Sequence, residues 1–458
     1  MTTRTVVLNI VGLDAGLLRD HAPRLRAVGE HGASRTITPV LPALTCSAQS
    51  TMVTGRPPSE HGIVGNGWYD RESNEIRFWK QSNRLVQGEK IWETARRRDP
   101  ACTCCTMFWW YNMYASSDWA VTPRPMYPAD GRKLPDIWTN PPELRDQLQG
   151  ELGQFPLFRF WGPAADLTSS RWIVEASRIV QAKHDPTLHL VYIPHLDYAL
   201  QQFGPDSPEA AQATTEIDAL AGGLAEDFMQ QGCRVLIVSE YGIGPVDDAV
   251  APNRALRDAG LLSIRTECGR EHLDPGASRA FAVADHQIAH VYVHHPEDIA
   301  EATRVLESLD GVDRVLAGDA LSDAGLHHDR AGELVLISAP RRWFTWDYWN
   351  DDAKAPDYAR TVDIHRKPGY DPRELFLDPT LTAPKLKIAG TLLKKKLGFR
   401  TLLEVIPLDT TLVRGSHGRT DLGDDRQPVL LSSTPMDTLP EHVDCAAVRD
   451  IMLELLFD

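Results

Sequence analysis

The sequence predicts an α/β protein in which a mostly parallel sheet lies between helices, with a small α/β cap inserted late in the chain. Short apolar runs alternate with longer segments whose apolar residues recur at helical spacing. Polar side chains that can bind metals follow several of these runs. The length of 458 residues and the hydrophobic fraction of 42% suit one large domain with a cap.

The first strand is predicted at Val6–Val11, and two more at Leu188–Ile193 and Arg234–Ser239. Between the last two, Pro208–Gln231 has the apolar spacing of a helix. A strand, a helix and a strand in succession indicate parallel neighbours in one sheet. Two further strands are predicted near the end of the chain, at Glu333–Ser338 and Pro428–Ser432.

The cap is predicted from the stretch Phe281–Leu326, which contains a strand, a helix and a strand at Ile288–Val293, Glu297–Leu309 and Val312–Leu316. We therefore expect a cap over 271–330 and a core built from 1–270 and 331–458. The segment Asp351–Pro384 is rich in Pro, Asp and Arg, which predicts a long ordered loop. Loops of this length in compact domains often carry function.

Charge and composition exclude several classes of protein. A net charge of −15 disfavours a nucleic acid polymer as partner, because phosphate backbones require a positive surface. No apolar run reaches the ~18 residues of a membrane span, and the first is too short for a secretory signal. The seven cysteines lack zinc-finger spacing. We expect a cytoplasmic protein with no membrane partner, and the lysine-rich segment 385–396 to be a helix with a solvated face. The oligomeric state is not indicated.

Candidate ligands stand at the carboxyl ends of the predicted strands, where open α/β sheets bind ligands. Asp14 follows the first strand, Asp197 the second and Glu240-Tyr241 the third, while His417 precedes the last. Each of these positions offers a metal ligand. For any single carboxylate the alternative is a helix cap.

The segment Pro42–Gly55 predicts a turn that enters a helix, with Thr45 near the helix N-terminus. Free backbone N–H groups and the helix dipole favour an anion there. A hydroxyl beside a divalent cation can lose its proton and act as a nucleophile. The alternative is that Thr45 only caps the helix.

One motif runs through this region in a fixed order. It comprises Asp14, Thr45, Thr54-Gly55, His61-Gly62-Ile63 and Asn66. It resembles the nucleophile region of the alkaline phosphatase superfamily, nearest to the nucleotide pyrophosphatase/phosphodiesterase branch and to phosphonoacetate hydrolase. The resemblance continues at Asp197, at Phe203-Gly204-Pro205 and at Ser416-His417-Gly418.

The resemblance implies an alkaline-phosphatase-like core that hydrolyses a phosphodiester through a phospho-threonine at Thr45, with Asn66 on a phosphoryl oxygen. It also implies two metal ions, usually zinc. The positions that match their ligands are Asp14, Thr45, Glu240 and Tyr241 for one ion, and Asp197, Gln201 and His417 for the other. The alternatives are a phosphonate or sulfate ester hydrolase in the same site, or a metal-bearing protein with binding or non-hydrolytic chemistry only.

Three positions depart from the family pattern. Gln201 and Tyr241 stand where the family has histidines, and Glu240 stands where it has aspartate. Oxygen donors make the ligand set harder, which favours iron or manganese over zinc. Either one metal has been lost, or the missing imidazoles come from His365, His286 or His195.

The substrate is expected to be a small phosphorylated molecule. Trp109 and Trp110 lie in the aromatic run Phe108–Tyr111, which in the resembling branch stacks on the leaving group. The alternative is a core strand. Lys367, in the long loop, is expected to bind the substrate phosphate.

Overall fold

The computed structural model describes residues 2–458 and confirms the α/β fold with a mostly parallel central sheet. That sheet has nine strands, and seven of them run in one direction while Val429–Ser432 and Ile137–Asn140 run against them. In spatial order the strands are His442–Asp444, Ala33–Thr38, Val429–Ser432, Arg234–Val238, Thr5–Ile10, Leu188–Ile193, Cys104–Met107, Trp119–Pro123 and Ile137–Asn140.

The three strands predicted first lie side by side at the centre of this sheet. Thr5–Ile10 pairs in parallel with Leu188–Ile193 on one side and with Arg234–Val238 on the other. Alternate side chains of the first strand enter separate hydrophobic clusters, because successive strand residues point to opposite faces: Val6 and Leu8 enter one, and Val7 the other. The carboxyl ends of the three strands are therefore aligned at one edge.

Helices cover both faces of the sheet. The predicted helix after Leu188–Ile193 forms as two α-helices joined by the wider turn Asp218–Gly222. No helix of residues 2–458 combines the length and the apolarity needed to cross a bilayer. The α-helices are Ala15–His21, Pro23–Glu30, Thr45–Thr54, Pro58–His61, Ile91–Arg98, Glu143–Leu152, Leu167–His184, His195–Phe203, Pro208–Ile217, Gly223–Gln230, Pro252–Asp258, Ile299–Glu307, Asp319–Asp323, Pro384–Lys396 and Val448–Phe457.

A second sheet of four antiparallel strands lies late in the chain. In spatial order its strands are Ala280–Asp285, Ile288–Val293, Leu334–Ser338 and Val312–Ala317. The strand expected at 333–338 therefore forms, but it pairs inside this smaller sheet instead of joining the core. The smaller sheet thus extends beyond residue 330, because an apolar run specifies a strand without specifying its partner.

Short strand pairs and irregular segments complete the fold. The region 345–383 contains only isolated 3₁₀ turns, as expected for a long loop, but part of it is buried. Within it the Arg373 guanidinium pairs with the carboxylates of Asp347 and Asp371. The short strand pairs are Gly67–Asp70 with Glu75–Phe78, Gly244–Pro245 with Gly415–Ser416, Asp248–Val250 with Arg342–Phe344, and Ile264–Glu267 with Arg270–Leu273.

Candidate active site

Thr45 is the first residue of the helix Thr45–Thr54, and its side chain is buried. The residue at the cap position is Leu44, and no side chain caps the helix. The Thr45 hydroxyl is therefore free of the capping role that was its alternative explanation. Its Oγ1 lies 3.0 Å from the hydroxyl of Tyr241.

Asn66 connects the start of this helix to the smaller sheet. Its Oδ1 accepts a hydrogen bond of 3.0 Å from the backbone N–H of Cys46. Its Nδ2 lies 3.2 Å from Asp285 Oδ1 and 3.2 Å from the Tyr370 hydroxyl. The Asn66 backbone N–H also donates to Asp285, over 2.9 Å. The Asn66 side chain is thus held beside the N-terminal end of the helix Thr45–Thr54 by four contacts.

Asp197 and Gln201 lie one turn apart on the helix His195–Phe203. Gln201 Nε2 donates to Asp197 Oδ2 over 2.6 Å, and Gln201 Oε1 has no hydrogen-bond partner among the described residues. Tyr241 donates to Asp197 Oδ1 over 3.3 Å. Burial raises the pKa of Asp197 to about 7, so this carboxyl can both release and take up a proton near neutral pH.

Three rings form a stack beside these residues. The rings of Tyr241 and His417 are parallel within 7°, with centroids 3.8 Å apart, and the His286 ring lies 3.9 Å from His417. His286 comes from the turn between Ala280–Asp285 and Ile288–Val293, at a φ of 59°. The smaller sheet therefore contributes Asp285 and His286 directly to the site.

His417 is fixed by the segment that precedes Thr45. Its Nδ1 lies 3.0 Å from the carbonyl oxygen of Ala43, so this nitrogen carries the proton. The Ala43 N–H in turn donates to the Gly418 carbonyl over 3.0 Å. The other ring nitrogen, Nε2, faces Asp197 Oδ1 at 3.9 Å and is available as a ligand.

The carboxylate of Asp14 is bound by protein donors outside the groups described above. It caps the helix Ala15–His21 by accepting from the Leu17 N–H over 2.8 Å, and its other oxygen accepts from Arg426 over 3.0 Å. Arg426 also pairs with the exposed Asp206. Burial raises the pKa of Asp14 to about 6 despite the arginine. Both carboxylate oxygens of Asp14 are thus already occupied by protein donors.

Glu240 is held by two amides on the inner side of the site. Its Oε1 accepts from Asn9 and from Gln49, each over 2.6 Å, while Oε2 has no partner among the described residues. Gln49 lies one turn after Thr45 and also accepts the Trp110 backbone N–H over 2.7 Å. Burial raises the pKa of Glu240 to about 8.

A cavity of about 30 Å³, room for one water molecule, lies at the centre of these groups. Thr45, Asn66, Asp197, Gln201, Tyr241, His286 and His417 line it on one side. The remaining wall is aromatic and is made by Trp79, Trp110, Phe160, Trp161, Tyr192 and Tyr198, with Ile364. The cavity therefore combines polar groups, including Thr45, with an aromatic surface.

Besides Asp14 and Glu240, four expected site residues do not line this cavity. Trp109 packs into the cluster on the opposite face of the sheet, because its neighbour Trp110 takes the inward direction. Lys367 is buried, with its Nζ 2.5 Å from Glu374 Oε1. The His365 ring lies 6.4 Å from the Trp110 ring, and His195 Nε2 lies 3.6 Å from the exposed Glu216. A role for these four residues as ligands or phosphate contacts therefore stays a prediction from the sequence.

The donor set fits one metal ion better than two. Asp197, His417 Nε2 and the unpaired Gln201 oxygen face one another and offer two oxygens and one nitrogen. The second set is not assembled, because Asp14 is paired with Arg426 and Glu240 with two amides. No group of three His, Cys, Asp or Glu residues in the described part of the chain could hold a metal ion.

Several residues of the site had no assigned role from the sequence. Asp285 and Tyr370 orient Asn66, Gln49 holds Glu240, and Trp161 lines the cavity. Tyr370 belongs to the long loop predicted at Asp351–Pro384, and Asp285 precedes His286, which was named as a possible ligand. Gln49 and Trp161 carried no local signal, because a lone amide or indole has no distinctive pattern.

Comparisons with known proteins identify the family of the chain. The family model described as type I phosphodiesterase / nucleotide pyrophosphatase matches residues 5–371. An uncharacterized pyrophosphatase/phosphodiesterase of Schizosaccharomyces pombe is 26% identical over 53% of this chain and 45% of its own length. Human ectonucleotide pyrophosphatase/phosphodiesterase family member 1 is 21% identical over 50% of this chain and 22% of its own. The chain therefore matches less than half the length of these relatives.

Two solved structures share the whole fold. Phosphonoacetate hydrolase from Sinorhizobium meliloti, in complex with phosphonoformate, superposes with a TM-score of 0.63 at 15% identity, covering 99% of this chain and 96% of its own. An inactive threonine-to-alanine variant of mouse ectonucleotide pyrophosphatase/phosphodiesterase 5, in complex with AMP, gives 0.61 at 14% identity, covering 99% and 94%. Together with the family match, these findings establish that the chain belongs to the type I phosphodiesterase/nucleotide pyrophosphatase family within the alkaline phosphatase superfamily.

Proposed function

We propose that this protein hydrolyses a phosphodiester or a related phosphoryl bond in a small molecule, with Thr45 as the nucleophile. The observation that carries the proposal is the position of Thr45. Its hydroxyl stands uncapped at a helix N-terminus, on the wall of a buried cavity, beside Asn66 and the Cys46 N–H. This is where an attacking oxygen and donors for phosphoryl oxygens are needed together.

The proposed reaction has two steps. Thr45 Oγ1 attacks phosphorus, so that the Thr45–phosphorus bond forms while the bond to the leaving oxygen breaks. The proton of the Thr45 hydroxyl passes to the Tyr241 oxygen while the Tyr241 proton passes to ionised Asp197, along the two hydrogen bonds that join these groups. Water then attacks the phospho-threonine and releases Thr45. The Cys46 N–H, which donates to Asn66 Oδ1 in the free protein, and Asn66 Nδ2, which donates to Asp285 and Tyr370, turn to the equatorial oxygens when the phosphoryl group enters.

A metal ion would be held by Asp197, Gln201 and His417. When bound, it would supply Lewis-acid stabilisation of the negative charge on phosphoryl oxygens. The alignment of His417 does not depend on it, because the Ala43 carbonyl fixes the ring. The expected second ion remains a prediction of the family resemblance, and Asp14 would have to release Arg426 to bind it.

The aromatic wall supports a leaving group with a flat face. Trp79 and Trp110 lie with ring centroids 4.8 Å apart, and Trp161 packs against Tyr198 at 5.5 Å. An aromatic surface of this kind stacks on a nucleobase or an aryl ring. The complex of the mouse relative with AMP supports a nucleotide. The small cavity and the similarity to phosphonoacetate hydrolase favour one second candidate, the hydrolysis of a small phosphonate.

The test is hydrolysis of an aryl phosphodiester by the wild type and by Thr45→Ala. We expect Thr45→Ala to lower kcat/KM by about 10³-fold or more, because a nucleophile carries most of the catalytic effect of its site. Thr45→Ser is the matched control, since it keeps the hydroxyl and should retain part of the activity.

Mass spectrometry of a quenched reaction should find a phosphoryl group on Thr45 in the wild type. Unchanged turnover in Thr45→Ala would refute the assignment of the nucleophile. Phosphate release from phosphonoacetate alone would select the second candidate, and no turnover of either substrate would favour a binding protein.

A further inference from the structure

The helix Pro384–Lys396 is less exposed along one face than along the others. Ile388, Thr391 and Lys395 are half-buried, and they recur at intervals of three and four residues, which is one side of an α-helix. No residue of this helix is fully buried. The packing of the helix therefore fixes which side is turned to solvent.

The side turned to solvent is apolar. Leu386, Leu393 and Leu397 are 74%, 58% and 67% exposed. At 100° per residue these three leucines lie within about 40° of one another on the helix circumference. Ala389 and Gly390 fall on the same side and are also exposed. An ordinary surface helix buries such a stripe against the core, whereas here the stripe points outward.

Lysines flank this stripe on both sides. Lys387 and Lys394 lie on one side of the leucines, and Lys385 and Lys396 lie on the other. Lys395 and Arg400 add two further cations, and no Asp or Glu occurs between residues 379 and 403. In a chain with a net charge of −15 this segment is a local positive surface. Phe399 and Leu402 continue the exposed apolar area beyond the helix.

We propose that this outward face of the helix, together with Phe399, docks onto an anionic lipid bilayer with the helix in the plane of the membrane surface. Leucines on a central stripe enter the acyl boundary, while lysines on both flanks extend to the phosphates. The proposal departs from the expected solvated face and the expected absence of a membrane partner. The reason is the direction of the leucines, which the sequence pattern alone does not reveal.

Charge argues against the other occupants of this face. Two copies of the helix packed stripe to stripe would bring their flanking lysines together, which is repulsive. An acidic protein would also need an apolar groove shaped to the leucine stripe, whereas a bilayer offers an apolar layer directly beneath its anionic surface. A bilayer with anionic headgroups matches both the apolar centre and the cationic flanks.

Docking at this face would bring the membrane next to the segment that covers the candidate site. Arg400 donates to the carbonyl oxygen of Ala129 over 2.5 Å. The same loop reaches Asp363 through Tyr127, at 3.2 Å, and Lys133, at 3.4 Å. Asp363 precedes Ile364, which lines the cavity. The bound orientation would therefore place the loop 361–371 near the lipid surface.

The test is cosedimentation of the full chain with vesicles. One preparation is phosphatidylcholine alone and the other contains about 30 mol% phosphatidylglycerol, whose charge should recruit the lysines. The wild type should bind the anionic vesicles at least tenfold more tightly than the neutral ones. Replacing Leu386, Leu393 and Leu397 by Ser should weaken this binding at least tenfold, and so should Lys→Gln at the four flanking positions.

The matched control is Phe158→Ser, which removes an exposed apolar side chain outside this face and should leave vesicle binding unchanged. Thermal melting should not change in the leucine variant, because no residue of the helix is fully buried. The proposal is overturned if the wild type fails to bind anionic vesicles, or if the leucine variant binds as well as the wild type. It is also overturned if the wild type dimerises through these leucines without binding vesicles.

Discussion

Lys367 was expected to bind the substrate phosphate, whereas the structure places it in a buried ion pair with Glu374. Its ammonium group lies 2.5 Å from Glu374 Oε1 and 3.0 Å from the Thr361 carbonyl oxygen. The side chains of Lys367 and Glu374 are 3% and 1% exposed. Burial raises the pKa of Glu374, and the lysine opposes that rise. We therefore expect Lys367→Met to leave an uncompensated buried carboxylate.

The free energy of unfolding should fall by about 3–5 kcal/mol, the usual cost of removing one partner from a buried pair. Urea titration monitored by circular dichroism measures this loss. The loss should shrink at lower pH, where Glu374 takes up a proton. Activity per folded molecule should change less than stability. The one route to the site is Trp161, which lines the cavity and whose indole N–H donates to Glu374 Oε2 over 3.1 Å.

The double variant Lys367→Met with Glu374→Gln keeps this prediction decisive. The amide removes the buried charge, so at least about 2 kcal/mol of the lost stability should return. If Lys367 instead bound the substrate, its replacement would lower activity and leave stability unchanged. The reasoning is refuted if Lys367→Met unfolds like the wild type but loses tenfold or more in kcat/KM, and if Glu374→Gln restores nothing.

Three further predictions concern the surroundings of Thr45. A Cβ at Gly242 would lie 1.8 Å from the Arg426 carbonyl oxygen, so Gly242→Ala should lower the free energy of unfolding by about 3 kcal/mol or more. Gly150 has open space around it, so Gly150→Ala should leave the melting temperature unchanged or raise it. The pKa values of Asp197, Asp285 and Glu240 are raised to about 7, 7 and 8, so the folded state binds their protons more tightly than the unfolded state does. The free energy of unfolding, measured by urea titration, should therefore fall as the pH rises from about 6.5 to 8. A flat or rising profile would contradict those shifts. Elemental analysis should find at most one divalent ion per wild-type chain, and up to two after Gln201→His, Glu240→Asp and Tyr241→His are combined; an unchanged count would show that Asp14 stays with Arg426.

The parallel core was predictable because its three central strands are continuous apolar runs with a helix between two of them. The order of the sheet was not. Val429–Ser432 inserts between Ala33–Thr38 and Arg234–Val238, and no local pattern encodes a pairing across hundreds of residues. The same limit explains why the strand Leu334–Ser338 could be predicted while its sheet could not.

Within the site, the motif order predicted which residues would meet but not what each would contact. Thr45, Asn66, Asp197, Gln201, Tyr241 and His417 line one cavity. Asp14 instead pairs with Arg426, 412 residues away, a partner that the spacing near Asp14 could not suggest. Trp109 and Trp110 were equal candidates in sequence, although adjacent residues rarely face the same side.

The reciprocal contacts between Ala43 and the His417-Gly418 pair have a consequence for the order in which the protein is made. They join parts of the chain 374 residues apart, so Thr45 and His417 cannot be aligned until translation has passed residue 418. The strand Ala33–Thr38 likewise reaches the rest of the central sheet only through Val429–Ser432. In a ribosome-bound chain that ends before this region, the strand Ala33–Thr38 is therefore not joined to the central sheet, and Thr45 is not aligned with His417. The candidate site and the closure of the sheet thus form in the same late step of synthesis.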